Sequence, residues 1–251
     1  MRKKTMKQTY RKPLFSLVCL LTFTACNSDT KVNSHKIASI PEASGISYCK
    51  DSNTLMVAND EGSFYEITPE GAILSSHKLG KYDLEGVVCE EKILTFAVED
   101  GALLQVNRKT LETKLLKIKS QGFKFKLSKK AGIEGITKIK DEYYLSIQAK
   151  KEKDAKLLVV SAGVNYAKVT KVIDHGIIDS AGMIYKDKKL YIVSDKKDML
   201  YIYNLKKNKI KKKIKLPKFA QEGVAFGNDK TIYFADDDGA VMKYTLKELG
   251  L

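Results

Sequence analysis

The sequence predicts an all-β fold, and three observations carry that reading. A short pattern of a small or acidic residue, glycine and an aliphatic recurs five times in 251 residues: PEASGIS (Gly45), YDLEGVV (Gly86), AGIEGIT (Gly135), IDSAGMI (Gly182) and AQEGVAF (Gly223). Its glycines lie 41, 49, 47 and 41 residues apart. After each copy come two runs rich in β-branched and aromatic residues, separated by a turn of Asp, Gly and charged residues. Helical repeats of this length would show a 3.6-residue period, and none is visible. The 43% hydrophobic and 30% charged composition is that of a folded chain able to bury a core.

Taken in order, the chain opens with MRKKTMKQTYRK, which has six positive charges and no acid, followed by the uncharged run LFSLVCLLTFTA, Leu14 to Ala25. Twelve residues are too few to span a bilayer but suit a signal-peptide core. The run ends in Phe23-Thr24-Ala25-Cys26, which resembles the lipobox of bacterial lipoproteins, in which the cysteine after the cleavage point is lipidated. Several acyl chains on Cys26 would hold the chain stably to a membrane. A plain secretory signal cut after Ala25 is the alternative. We expect residues 1–25 to be the signal, 26–34 a polar tether and 35–251 one domain. Asn27 follows the cysteine where an Asp would mark inner-membrane retention. This favours the periplasmic side of the outer membrane, with the inner membrane as alternative.

Each repeat then reads as four strands. Strand A starts at the glycine. The B strands are NTLMVAN, KILTFAV, YYLSIQ, KLYIVSD and TIYFADD, and the C strands are SFYEI, LLQV, LLVV, LYIYN and VMKYT. Asp-Gly turns join several B–C pairs, and a more polar D strand follows. Four strands per unit of 40–50 residues is the signature of a β-propeller. The fifth copy has little room for D before Leu251, whereas Ser34-His35-Lys36-Ile37 mimics Ser76-His77-Lys78-Leu79. We therefore expect five blades of four antiparallel strands, closed by an N-terminal strand that supplies the missing edge. Six blades is the alternative, if a degenerate unit occupies residues 110–130. The absence of Trp excludes the WD dipeptide of the best-known propellers.

Without the signal the formal charge falls from +15 to +9, and with export this argues against a nucleic-acid partner. The lysine-rich stretches Leu205–Leu216 and Lys124–Lys130 fall where outermost strands belong, and lysine there discourages edge-to-edge pairing. Attraction to an anionic membrane surface is the other reading. Cys49 and Cys89, on inner strands of adjacent blades, are expected as two buried free thiols rather than a disulfide.

By strand parity the D–A loops and the B–C turns share one face of the propeller. Glu85, Glu134 and Glu222 directly precede the motif glycine, and Ser44 and Ala181 take that place in the other copies. Those two copies carry an acid two residues earlier, Glu42 and Asp179, and YDLEGVV has both acids, Asp83 and Glu85. A second set, Asn59, Glu99, Gln148, Asp195 and Asp236, lies 13 or 14 residues after each glycine, at the B–C turns. Converging carboxylates repel, so they call for a cation, shared protons or a cationic ligand. Oxygen ligands without His or Cys suit Ca²⁺ or Mg²⁺. The other reading makes these residues a structural ring, with carboxylates capping loop amides and glycine relieving the turn. His35, His77 and His175 lie outside the motif and form no metal triad or catalytic pair.

At EASGISY, YDLEGVV with AVEDGALLQVN, IDSAGMIY with LYIVSD, and QEGVAFG with IYFADD, the chain resembles the SdiA-regulated family of bacterial propellers, related to NHL-type repeats. The likeness spans about residues 35–249 and implies an envelope-associated propeller, often membrane-anchored, without a settled activity. Similar Glu-Gly-aliphatic repeats occur in six-bladed lactonases and esterase-like phytases, for which the implied ligands are a Glu before the strand-A glycine plus Asn and Asp from other blades. Glu85, Glu134 and Glu222 match the first element. Asn59 is the one Asn at the B–C position, and no matching His base is evident. The expected function is accordingly a monomeric, membrane-anchored binding or scaffolding module for an envelope protein or small ligand, with Ca²⁺ at an acidic channel mouth. The alternative is a Ca²⁺-dependent hydrolase of lactones or phosphoesters, with Glu85 and Glu134 as ligands.

Overall fold

The structure is a computed structural model that describes residues 34–125, 127, 132–228 and 230–251. The signal, Cys26 and most of the tether lie outside them. Antiparallel runs of four strands follow one another along the chain. The first is β2 (Ala43–Cys49), β3 (Thr54–Asn59), β4 (Ser63–Ile67) and β5 (Ile73–Lys78). Then come β6 (Leu84–Cys89), β7 (Ile93–Val98), β8 (Ala102–Asn107) and β9 (Thr113–Lys119), followed by β10 (Ile133–Ile139), β11 (Glu142–Ile147), β12 (Lys156–Ala162) and β13 (Ala167–Asp174). The fourth run is β14 (Met183–Lys186), β15 (Lys189–Ser194), β16 (Met199–Asn204) and β17 (Lys209–Lys215). In the last, β18 (Gln221–Phe226), β19 (Thr231–Asp236) and β20 (Ala240–Thr245) take β1 (Lys36–Ala38) as their fourth strand, with Lys36 opposite Met242 and Ala38 opposite Val241. The second and third runs share one eight-stranded sheet through a short parallel pairing of β13 with β9.

The first strands of the runs touch in cyclic order: β2 with β6, β6 with β10, β10 with β14, β14 with β18, and β18 with β2 again. The core is correspondingly a set of seams between neighbouring runs. Period-two alternation puts successive side chains of one strand into different seams. Met56 and Ala58 of β3 pack with Phe96 and Leu104 on one side, while Leu55 and Val57 pack with Tyr233 and Val241 on the other. Both sheet faces are covered, so the B and C strands read as nearly continuous apolar runs.

The repeated glycine proves to be a spacing device. None of the five motif glycines has a positive φ, so relief of a turn is not its task. A Cβ on Gly45 would lie 2.4 Å from the Cα of Gly86, one on Gly135 2.9 Å from the Cα of Gly182, and one on Gly182 2.5 Å from the Cα of Gly223. Gly223 in turn meets the backbone of Gly45 and Ile46 at 3.1 and 2.9 Å. Glycine is required because the inner strands meet backbone to backbone.

This close approach also corrects the expected free thiols: Cys49 and Cys89 form a disulfide, with Cα atoms 5.5 Å apart. Strands that touch at Gly45 and Gly86 have not diverged beyond bridging range at their far ends, where the Cys89 amide also donates to Ser47 Oγ at 3.1 Å. The stretch Lys124–Lys130 is a second correction. The outer strand of that run is β9, and Lys124 follows it in the loop towards β10; residues 126 and 128–130 of the stretch lie outside the described set. Among the described residues no further strand lies between β9 and β10. Lys209–Lys215, by contrast, forms the outermost strand β17.

Candidate functional site: an acidic channel mouth

The D–A loops and B–C turns do meet, tied by one hydrogen bond per run in four of the runs. The amides of Asp60, Glu99, Gln148 and Asp237 donate to the carbonyls of Glu42, Asp83, Gly132 and Ala220 at 3.3, 3.1, 3.1 and 3.0 Å. Each acceptor stands three residues before its motif glycine. These bonds define which turn residues are equivalent, and the answer differs by one position from glycine counting in two runs. Opposite the glycines stand Ala58, Ala97, Ser146 and Ala235. Two residues on from these are Asp60, Glu99, Gln148 and Asp237. Glu99 and Gln148 were therefore placed in register, whereas Asn59 and Asp236 stand one residue short.

A one-residue slip turns a side chain to the other side of its strand, and Asn59 and Asp236 do different work. Asn59 is buried, accepts from the Ser63 amide at 2.8 Å and donates to the Pro41 carbonyl. Asp236 accepts the amides of Ala220 and Asp238 at 3.1 and 3.2 Å. Both close their turns. Asp60 and Asp237 are the mouth residues that sequence reasoning missed; Asp60 follows Asn59 and Asp237 follows Asp236, so the amide register is the signal that finds them.

The carboxylate oxygens of Asp60, Asp83 and Glu85 all lie within 4.8 Å of one another. Glu85 and Glu134 are buried, Glu222 and Asp60 half-buried, and Asp83 and Glu42 exposed. Burial pushes Glu85 far above the usual carboxylate range, and Glu134, Asp60, Asp83 and Glu222 push it further. Glu134 is raised by burial and then by Glu99, Asp60, Asp83 and Asp179. Glu222 is raised by burial, then by Glu134, Asp195, Asp237 and Asp179. Asp60 is pushed up to about 7 by burial, with Asp237 and Asp83 adding to it. Asp195 and Asp237 are also raised, chiefly by burial. The groups share one field across the mouth.

The mouth is asymmetric. Asp179, at a left-handed φ of 53°, is satisfied by Lys196, whose amide and Nζ donate to its two oxygens at 2.8 and 2.6 Å. Glu42 shares that left-handed conformation at φ 45°. Ser44, in the place of the motif Glu, donates to the Leu84 carbonyl. The Asp60–Asp83–Glu85 side has no comparable cation among the described salt bridges. Two buried oxygens, Asp60 Oδ1 and Glu222 Oε2, lack any hydrogen-bond partner.

The histidines stand apart from the mouth. His35 stacks on Tyr244 and His77 packs against Phe64. His175 is buried, with Nδ1 accepting the Ile177 amide, and burial holds it down at about 4.

The sequence profile of the SdiA-regulated family matches residues 23–238, most of the chain. The chain belongs to that family. No curated protein matches it. In fold it is similar to the glutaminyl cyclase of Myxococcus xanthus, with TM-score 0.65, 9% identity, and 83% of this chain and 92% of that one covered. A PQQ-bound aldose sugar dehydrogenase from Streptomyces coelicolor is similar at TM-score 0.49 and 9% identity, covering 83% and 95%. At 9% identity the likeness to the glutaminyl cyclase is one of fold alone, and the family membership rests on the profile.

Proposed function

We propose that this family member is a lipid-anchored envelope protein, a five-bladed propeller that works as a binding or scaffolding module and holds a divalent cation at its acidic mouth. The observation that carries the reading is the Asp60–Asp83–Glu85 cluster, which no described salt bridge supplies with a lysine as Lys196 supplies Asp179. The residues fit the ion. Three carboxylates offer hard oxygen ligands in mutual range, and two buried acid oxygens have no donor. Asp60, Asp83 and Glu85 would hold Ca²⁺, which supplies when bound the positive charge that Lys196 supplies to Asp179. Glu134 and Glu222 contribute to the field that favours it. The mouth then presents a charged, oxygen-rich surface to a small ligand or an envelope partner. The cyclic contacts of the inner strands support five blades.

Export is supported by the Cys49–Cys89 bridge, since disulfides persist in oxidising compartments, and by the lipobox-like Phe23–Cys26. Among the described residues no helix is long and apolar enough to cross a membrane. No histidine is held against a mouth carboxylate to act as a base, and we favour binding over hydrolysis.

Thermal unfolding in EDTA and in millimolar Ca²⁺ tests the mouth. Ca²⁺ is expected to raise the midpoint in the wild type and to require about tenfold more ion or greater for the same rise in Asp60→Asn or Glu85→Gln. An unchanged wild-type midpoint with both Ca²⁺ and Mg²⁺ overturns the cation. Incorporation of labelled fatty acid, lost in Cys26→Ser, tests the anchor independently.

A further inference from the structure

Outermost strand β17 is unlike the others. Five of its seven residues are lysine and none is acidic. Ile210 and Ile214 turn inward, while Lys209, Lys211, Lys212, Lys213 and Lys215 are exposed. Lys215 is paired with Asp198 at 2.8 Å; Lys209, Lys211 and Lys213 have no acidic partner among the described salt bridges. Lysine on an outer strand discourages edge pairing, and β5 carries one, Lys78, β13 two and β9 three. The surplus on β17 calls for another explanation.

Position supplies one. Beside β17 lies a cleft of about 350 Å³, lined by Lys186, Lys189, Lys211 and Lys212 against a single acidic side chain, Asp187, with Tyr191 and Phe226 among its apolar lining. Lys186 sits 4.5 Å from the Phe226 ring centre. Lys212 donates to the Gly250 carbonyl at 2.6 Å, which ties β17 to the end of the last run. That end is where the tether joins the fold: the Lys243 amide donates to the His35 carbonyl at 2.8 Å, and His35 stacks on Tyr244. From Cys26 to Ser34 is eight residues, a reach of at most roughly 30 Å. The lysine strand and its cleft therefore flank the point at which a lipidated chain would be held to its membrane.

We propose that the outer face of β17, with this cleft, rests on the anionic phospholipid headgroups of the leaflet that holds the Cys26 acyl chains. The inference rests on the lipid-anchored reading. Phosphate groups meet Lys209, Lys211 and Lys213 while the cleft takes headgroups against its aromatic lining. The acyl chains supply the attachment, and the basic strand sets which face of the fold meets the surface. The docked rim leaves the acidic mouth directed away from the like-charged lipid surface.

The test uses the mature chain with Cys26→Ser, which carries no lipid, sedimented with vesicles of phosphatidylcholine alone or with about one third phosphatidylglycerol. Expected is binding to the anionic vesicles at least about tenfold stronger than to the neutral ones, declining as salt rises. The triple variant Lys209→Glu, Lys211→Glu, Lys213→Glu should lose that preference, while Lys114→Glu with Lys168→Glu, on β9 and β13, should keep it. Equal binding to both vesicle types, or equal loss in both variants, overturns the proposal. Should the triple variant fold poorly, protection of Lys209, Lys211 and Lys213 from acetylation by anionic vesicles decides instead, and unprotected lysines overturn it. Absence of fatty-acid labelling on wild-type Cys26 would remove the anchor and leave the vesicle result standing. Labelled Cys26 with no vesicle preference removes the docking surface alone.

Discussion

At the scale of the residue, the acidic mouth and the glycine hub make opposite demands. Glu85 is buried among other carboxylates that raise its proton affinity, so its charge opposes folding when no cation is present. Glu85→Gln is expected to raise the melting midpoint in EDTA and to weaken the Ca²⁺ response by about tenfold or more, read from midpoints across a Ca²⁺ titration. Gly45 has no such slack. A methyl there meets the Gly86 Cα at 2.4 Å, and Gly45→Ala should cost about 1–3 kcal/mol or more in urea unfolding, because two backbones must part. The motif acids Glu85, Glu134 and Glu222 were legible because they repeat beside the glycine. Asp60 and Asp237 were not, because turn lengths vary and a register is defined by hydrogen bonds, not by counting residues.

At the scale of the element, the B and C strands were legible almost residue for residue, since strands buried on both faces leave long apolar runs between turn formers. The N-terminal strand was legible from its likeness to Ser76–Leu79 and pairs with β20 as expected. The disulfide was not. It closes 40 residues between two inner strands, and in the chain-entropy picture such a loop is worth about 4 kcal/mol. Cys89→Ser, or reduction of the wild type, should lower urea stability by roughly 3–4 kcal/mol. A midpoint insensitive to reductant would show that packing between β2 and β6 suffices.

At the scale of the whole molecule, the shared field of the mouth predicts a pH response. Asp60 titrates at about 7 in the folded chain against 3.8 ordinarily, and Glu134 and Glu222 are raised as well. A carboxyl with a raised folded pKa contributes stability that is fully present below its unfolded pKa and lost as pH rises through its folded value. The metal-free chain should therefore gain stability as pH falls from about 8 to about 4, between the raised folded values and the ordinary carboxyl range. Within that range His175, held down at about 4 from 6.5, works the other way, because the unfolded chain takes up a proton that the folded one does not, and it offsets part of the gain from the several carboxyls. Saturating Ca²⁺ should flatten the upper limb, and a calorimetric pH series in EDTA and Ca²⁺ checks both. The sequence by itself determined the all-β repeat, the strand that joins the two ends and the gathering of acids on one face, because periodicity, glycine and charge are local properties of the chain. Only the tertiary structure decided that the glycines touch, that Cys49 meets Cys89, that Asp60 rather than Asn59 faces the mouth, and that Lys196 answers Asp179. Each of these depends on how closely segments about 15 to 50 residues apart approach, a distance set by packing and register across the ring.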